Sequence, residues 1–322
     1  MFDVTGRYVT GLLILLLCIA MLPMAARGEL KLYEPFDGTV GDQLVNSPNW
    51  TSSDNRPLDY VYLEGNLEVP AGVNLKSPVG QRAGFRSDPE NYVVSQIENL
   101  RHVFDGLEGA GTLYASYLAY HDVSPFGANE WHGLHMGEDG VGGSSTMYIG
   151  KRNPDQSFVL EVKSNGGNIR VTPFNEKQVY FIVVKFDWNR IPDDGIDNFA
   201  HATVWFNPDC NKNEADNAGA VKGSRSLLEG KVWGGDTLNF IELHSGSWNT
   251  TEPHNFDEIG YDELRVGTTW ADVTPGKAAT PTIAPDGGSF QGQIEVTLDS
   301  PTDGATIRYT LNGNEPGESS LL

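Results

Sequence analysis

A chain of 322 residues with 39% hydrophobic residues has room for one large domain and part of a second. Its formal net charge of -21 is spread along the chain, a field that repels phosphate backbones; this argues against nucleic acid and leaves neutral or cationic ligands, or Ca²⁺, as partners. Thirty-seven glycines and eighteen prolines imply many turns, and so short strands rather than long helices.

The first segment reads as an export signal over residues 1–28. Arg7 lies in a polar head, Leu12–Leu22 is an apolar run, Pro23 breaks it, and Ala26-Arg27-Gly28 offers small residues around a cleavage point. The run is shorter than the roughly 20 residues that span a bilayer, so no stable membrane insertion is expected after cleavage. The expectation is a secreted protein of the extracellular space or cell envelope. Cys18 leaves with this segment, Cys210 is left alone, and no intramolecular disulfide can form.

Strand-forming runs then recur between clusters of Gly, Pro, Asn and Asp. They are Thr112–Tyr120, Thr146–Ile149, Ser157–Val162, Val179–Phe186, Ala202–Phe206 and Thr237–Leu243. In the first, Leu113, Ala115, Tyr117 and Ala119 share one face, and Tyr114, Ser116, Leu118 and Tyr120 the other. Both faces are fairly apolar, which predicts a strand covered on each side or one lining an aromatic sheet. Only Glu98–Leu107 hints at a short helix. The class predicted is all-β, an antiparallel sandwich over residues 29–275. A small connector, 276–280, precedes a second β unit over 281–322, where Ile294, Val296 and Leu298 alternate, as do Ile307, Tyr309 and Leu311. That unit is too short to close on itself.

Four stretches carry a resemblance: Leu32–Val40 (LYEPFDGTV), Met147–Arg152 (MYIGKR), Ala202–Pro208 (ATVWFNP) and Asp262–Pro275 (DELRVGTTWADVTP). Together they resemble the secreted bacterial laminin-G-like domains of the concanavalin-A-like lectin/glucanase superfamily, which implies a jelly-roll sandwich. The tail from Thr280 to Gly317 resembles the chitobiase/β-hexosaminidase C-terminal domain, through Pro285, Gly287-Gly288, Gly304-Ala305, Ile307–Thr310 and Asn312-Gly313. This resemblance implies a partial immunoglobulin-like module attached to sugar-active or surface proteins, without hexosaminidase chemistry.

The superfamily contains glycosidases, so the carboxylates need a geometric test. Retaining enzymes hold two carboxyl groups about 5–5.5 Å apart and inverting ones about 6.5–9.5 Å. In Phe256–Leu264, a regular strand puts Glu258 and Asp262 on one face about 13 Å apart, and Asp257 and Glu263 on the other, further apart still. No catalytic pair results. The acids of this stretch read as turn caps, solvent-facing groups or metal ligands. Glu214 and Asp216 have the two-residue spacing but sit in a polar loop, and Asp88-Pro89-Glu90 carries a strand-breaking proline.

Asp187, Asp193, Asp194 and Asp197 cluster oxygen ligands in one loop and are the candidates for Ca²⁺, although their spacing is not that of an EF-hand. His132 and His135, three apart, point to opposite faces of a strand and cannot share a metal. Trp131 with His132, and Trp248, are the aromatic platforms a glycan would use. The function expected is non-catalytic binding of a glycan, polysaccharide or cell-surface component. The alternatives are a glycoside hydrolase or its targeting subunit, and a structural envelope protein without ligand.

Overall fold

A computed structural model describes residues 28–52, 60–86, 98–108, 110–123, 130–137, 145–152, 157–162, 168–173, 175, 177–189, 199–226, 237–247, 256–278, 280–286, 289, 291–300, 307–311 and 314. The signal reading, Trp248, Asp193, Asp194 and Asp197 lie outside these residues.

The strands in chain order begin with β1 (Leu30–Glu34), β2 (Trp50–Ser52), β3 (Val61–Leu63), β4 (Arg82–Arg86), β5 (Glu98–Glu108) and β6 (Ala110–Val123). They continue with β7 (Glu130–Gly137), β8 (Ser145–Arg152), β9 (Ser157–Val162), β10 (Asn168–Pro173), β11 (Val179–Asn189) and β12 (Phe199–Phe206). Last come β13 (Val221–Ser226), β14 (Thr237–Ser247), β15 (Phe256–Gly267), the short helix α1 (Trp270–Val273), β16 (Thr282–Ala284) and β17 (Thr297–Asp299). Among the described residues they form an eight-stranded sheet, β13-β12-β11-β6-β15-β4-β3 with β1 on β15, and a seven-stranded sheet, β10-β9-β8-β7-β14-β5-β2. All pairings within the two sheets are antiparallel, and the chain crosses repeatedly between the sheets, as a jelly-roll sandwich requires. The all-β expectation holds, and each of the six expected strands is a strand.

The main core lies between the sheets. Leu113, Ala115, Tyr117 and Ala119 of β6 and Ile182, Val184 and Phe186 of β11 face Leu134 and Met136 of β7 and Ile241 and Leu243 of β14. The opposite face of β6 and β11 is also buried: Tyr114, Leu118, Phe181 and Val183 pack with Leu67, Val73, Leu75, Trp205, Cys210, Trp270 and Val273. The two apolar faces read from Leu113–Tyr120 are therefore explained by two cores. Helix α1 closes the second one. Its Trp270 ring meets Trp205 edge-on at 5.0 Å, its indole donates to the Lys212 carbonyl at 3.0 Å, and Ser116 Oγ donates to the Val273 carbonyl at 2.6 Å. Asp272 Oδ2 accepts from the Thr269 amide at 2.8 Å at the helix start, and Pro275 follows its end.

Two expectations are corrected. Glu98–Leu107 is strand β5, paired with β14 and β2. A bulge sets Leu107 opposite Leu238 but Val103 opposite Phe240, and the extra residues shift the phase so that Leu100, Phe104 and Leu107 imitate a helical period. Two acids of β15 are buried rather than solvent-facing: Asp262 is 0% and Glu263 2% accessible. The strand bulges between Asp262 and Arg265, with Glu263 at φ 51, so Ile259 and Tyr261 face the core before the bulge and Leu264 and Val266 after it. Asp262 accepts from the amides of Leu67 and Glu263, both at 2.8 Å. Glu263 accepts from Tyr33 Oη at 2.9 Å, the Val79 amide at 3.0 Å and Arg265 Nη2 at 2.9 Å. These carboxylates fix the bulge and the chain crossing it.

The connector is also less free than its composition implies. Leu75 and Gly276 form an isolated bridge, flanked by bonds from the Lys76 amide to the Pro275 carbonyl at 2.8 Å and from the Lys277 amide to the Asn74 carbonyl at 2.7 Å. Beyond it, β16 and β17 pair as a hairpin, with Ile283, Ile294, Val296 and Leu311 exposed. No described helix is long and apolar enough to cross a membrane.

Candidate functional site

The outward face of the seven-stranded sheet gathers histidines, a glutamate, an arginine and a tyrosine, among them the group His135, Glu242 and His244, whose ligand atoms lie within 4.8 Å of one another. In register, Tyr148 of β8 stands opposite His135 of β7, His135 opposite Glu242 of β14, and Glu242 opposite Arg101 of β5. Alternation explains the grouping: Ile149, Leu134, Leu243 and Leu100, one residue along each strand, all face the core. His244 shares the face with Glu242, two residues on. On the β7 side its strand partners carry no side chain, because His244 stands opposite Gly133 and Gly133 opposite Gly150; on the β5 side it stands opposite Asn99. The Tyr148 ring occupies part of that space; a Cβ at Gly150 would lie 2.8 Å from its hydroxyl.

One carboxylate organises the row. Arg101 Nη2 and Nε donate to Glu242 Oε2 at 3.0 and 3.2 Å, while Oε1 lies 3.6 Å from His135 Nδ1 and 3.4 Å from His244 Nδ1. The two imidazoles stack at 4.0 Å between centroids, and Tyr148 meets His135 edge-on at 4.8 Å. Arg101 lies 3.8 Å above the Phe240 ring. Burial alone would raise the Glu242 pKa, but the hydrogen bond and charge of His244 and the Arg101 guanidinium outweigh it and hold the carboxyl below its ordinary value. Tyr148, His135 and Glu242 are buried, whereas the Arg101 and His244 side chains keep 16% and 15% of their surface. Solvent therefore meets the row through a guanidinium and an imidazole.

The residues singled out from the sequence are placed differently. Trp131 is on β7, opposite Gly246 and Arg152. His132 is buried on the core side, its ring 6.3 Å from that of His121, while His135 faces outward, so the two histidines do part to opposite faces. Asp187 lies on β11, where Thr112 Oγ1 donates to it at 2.7 Å and Lys185 Nζ lies 4.0 Å away. Glu214, in the loop dismissed for catalysis, accepts from Tyr114 Oη at 2.6 Å and Lys185 Nζ at 3.3 Å.

Sequence reasoning passed over Arg101, Tyr148, Glu242 and His244. The Glu-x-His pattern at 242–244, two residues apart within an expected strand, was the available signal. His135 finds no partner in His132, three residues away on the opposite face; its partners come from β14.

The family model of the chitobiase/beta-hexosaminidase C-terminal domain matches residues 285–322. No curated protein matches the chain. Among solved structures, the chain is similar to the PL-14 alginate lyase of Aplysia kurodai at 12% identity and a TM-score of 0.40, over 60% of this chain and 85% of that one. It is similar to a protein described among the endo-acting O-glycanases that human gut microbiota use to initiate mucin breakdown, at 11% identity and a TM-score of 0.44, over 75% of this chain and 100% of the other. It is also similar to the lectin UEA-II in complex with galactose, at 9% identity and a TM-score of 0.40, over 75% and 97%. At these values the likeness carries neither activity nor ligand to this chain.

Proposed function

We propose that this is a secreted, laminin-G-like, non-catalytic protein that binds a glycan, polysaccharide or cell-surface component on the outward face of the seven-stranded sheet. The observation that carries the reading is the cross-strand row Tyr148–His135–Glu242–Arg101, with His244 beside it. Sugars are held by planar donors that reach hydroxyls and by rings on which their C–H faces rest. Arg101 and His244, the members that solvent reaches, are of these two kinds. The row has one carboxylate and one guanidinium, whose charges offset each other, which suits an uncharged sugar. The tail supports the same reading, because its matched family is named from sugar-active enzymes. Against catalysis, the carboxylates Asp262, Glu263 and Glu242 are all engaged in buried bonds.

One observation favours an enzyme instead: a tyrosine and two imidazoles beside an arginine form a set able to move protons. A glycan array and polysaccharide pull-down with the full chain, scored in parallel for new reducing ends, separates the readings. The expected result is binding without sugar release, weakened at least tenfold in Arg101→Lys, which keeps the charge and loses the planar fork. Release of sugar establishes the enzyme. Binding that Arg101→Lys leaves intact moves the ligand elsewhere, and no binding leaves a structural envelope protein. A Ca²⁺-against-EDTA arm tests the calcium assignment to Asp187, Asp193, Asp194 and Asp197.

A further inference from the structure

We propose that His135, Glu242 and His244 together bind one divalent transition-metal ion, for which Zn²⁺ is the best chemical match. The inference stands apart from glycan binding and from the Ca²⁺ assignment, which uses other residues.

The three residues bring one ligand atom each within 4.8 Å of one another. Zinc holds nitrogen and oxygen at about 2.0–2.2 Å in a tetrahedron, which sets ligand atoms about 3.3–3.5 Å apart. The two edges that end on Glu242 Oε1 measure 3.6 Å from His135 and 3.4 Å from His244, close to that value. The remaining edge, imidazole to imidazole, must close. The rings are stacked at 17° to each other, and parallel rings cannot both aim a lone pair at one point, so one imidazole has to turn about its Cβ–Cγ bond. His244 is the better placed to turn, since it is the least buried of the three and its β7-side partner Gly133 has no side chain.

The donor set selects the ion. Two imidazoles and one carboxylate suit zinc and its transition-metal neighbours; Ca²⁺ requires six to eight oxygens, and Mg²⁺ also prefers an all-oxygen shell. The frame is rigid, because the ligands sit on the adjacent strands β7 and β14 and His135 is in register with Glu242. Arg101 grips Glu242 through Oε2 and so fixes the carboxylate with Oε1 toward the imidazoles, as second-layer partners of metal ligands do. Three protein ligands leave a fourth position for a water or a sugar hydroxyl.

The test uses the full chain, stripped with a chelator and then titrated with Zn²⁺ by calorimetry, with Co²⁺ as a spectroscopic substitute. The expected result is one ion per chain, visible d–d absorption from bound Co²⁺, and no comparable response to Ca²⁺ or Mg²⁺. His244→Gln should weaken zinc binding at least a hundredfold and abolish the Co²⁺ bands. His201→Gln, on the exposed part of β12, should change neither. His244 is the least buried of the three ligands, so its variant is expected to keep the wild-type circular dichroism, and that spectrum is the control for folding. Failure to bind zinc at micromolar concentration overturns the proposal. So does binding that His244→Gln leaves unchanged, which would place the ion elsewhere. Glycan binding measured with and without chelator then shows whether the metal serves the sugar, without bearing on whether it binds.

Discussion

Replacing Asp262 with alanine should cost more at low pH than at high pH. The side chain is fully buried and accepts from two backbone amides, Leu67 and Glu263, at the bulge of β15. Alanine leaves both amides without an acceptor, and each unsatisfied buried donor costs about 1–3 kcal/mol. Burial pushes the Asp262 pKa up to about 7, against the pull of those same two amides. The folded protein therefore holds a proton on Asp262 that the unfolded chain, with the ordinary value near 3.8, has released. Stability contributed by this group is complete below about pH 4 and falls as the pH rises to 7, by at most roughly 4 kcal/mol for a shift of this size. Asp262→Ala removes that decline along with the hydrogen bonds. Urea unfolding followed by tryptophan fluorescence between pH 4 and 8 should show the variant at its greatest disadvantage near pH 4, with the gap narrowing toward pH 8. A gap that is constant with pH, or below about 1 kcal/mol at pH 4, refutes the reasoning.

Trp270→Ala should uncover the outer core and lose the bond to the Lys212 carbonyl, at a cost of about 3–5 kcal/mol that thermal or urea denaturation will register. Burial pushes the Cys210 thiol up to about 12, so at pH 8 it should resist iodoacetamide in the folded protein and react promptly in urea, as mass spectrometry of the labelled chain will show.

Much of the fold could be read in advance because the evidence for a strand is local. Val179–Phe186 and Thr237–Leu243 are runs of β-branched and aromatic residues between turn formers, and they are β11 and β14. The same locality misled at Glu98–Leu107, where a bulge mimicked a helical period, and at Asp262, whose burial depends on Leu67, 195 residues away in sequence. The candidate site was least legible. Tyr148, His135, Glu242 and Arg101 come from four strands, and only the register of three pairings sets them in line. Spacing along one strand could reveal Glu242 with His244, and no more.

The bonds that join residues 74–76 to 275–277 also have a mechanical meaning. The chain leaves the sandwich under a clasp of backbone bonds, with α1 and its Trp270 seated immediately before it. A pull on the residues beyond 280 would load this clasp and the outer core before it reached either sheet. The two sheets, and the row of side chains on the seven-stranded one, would stay in register while the clasp gave way first.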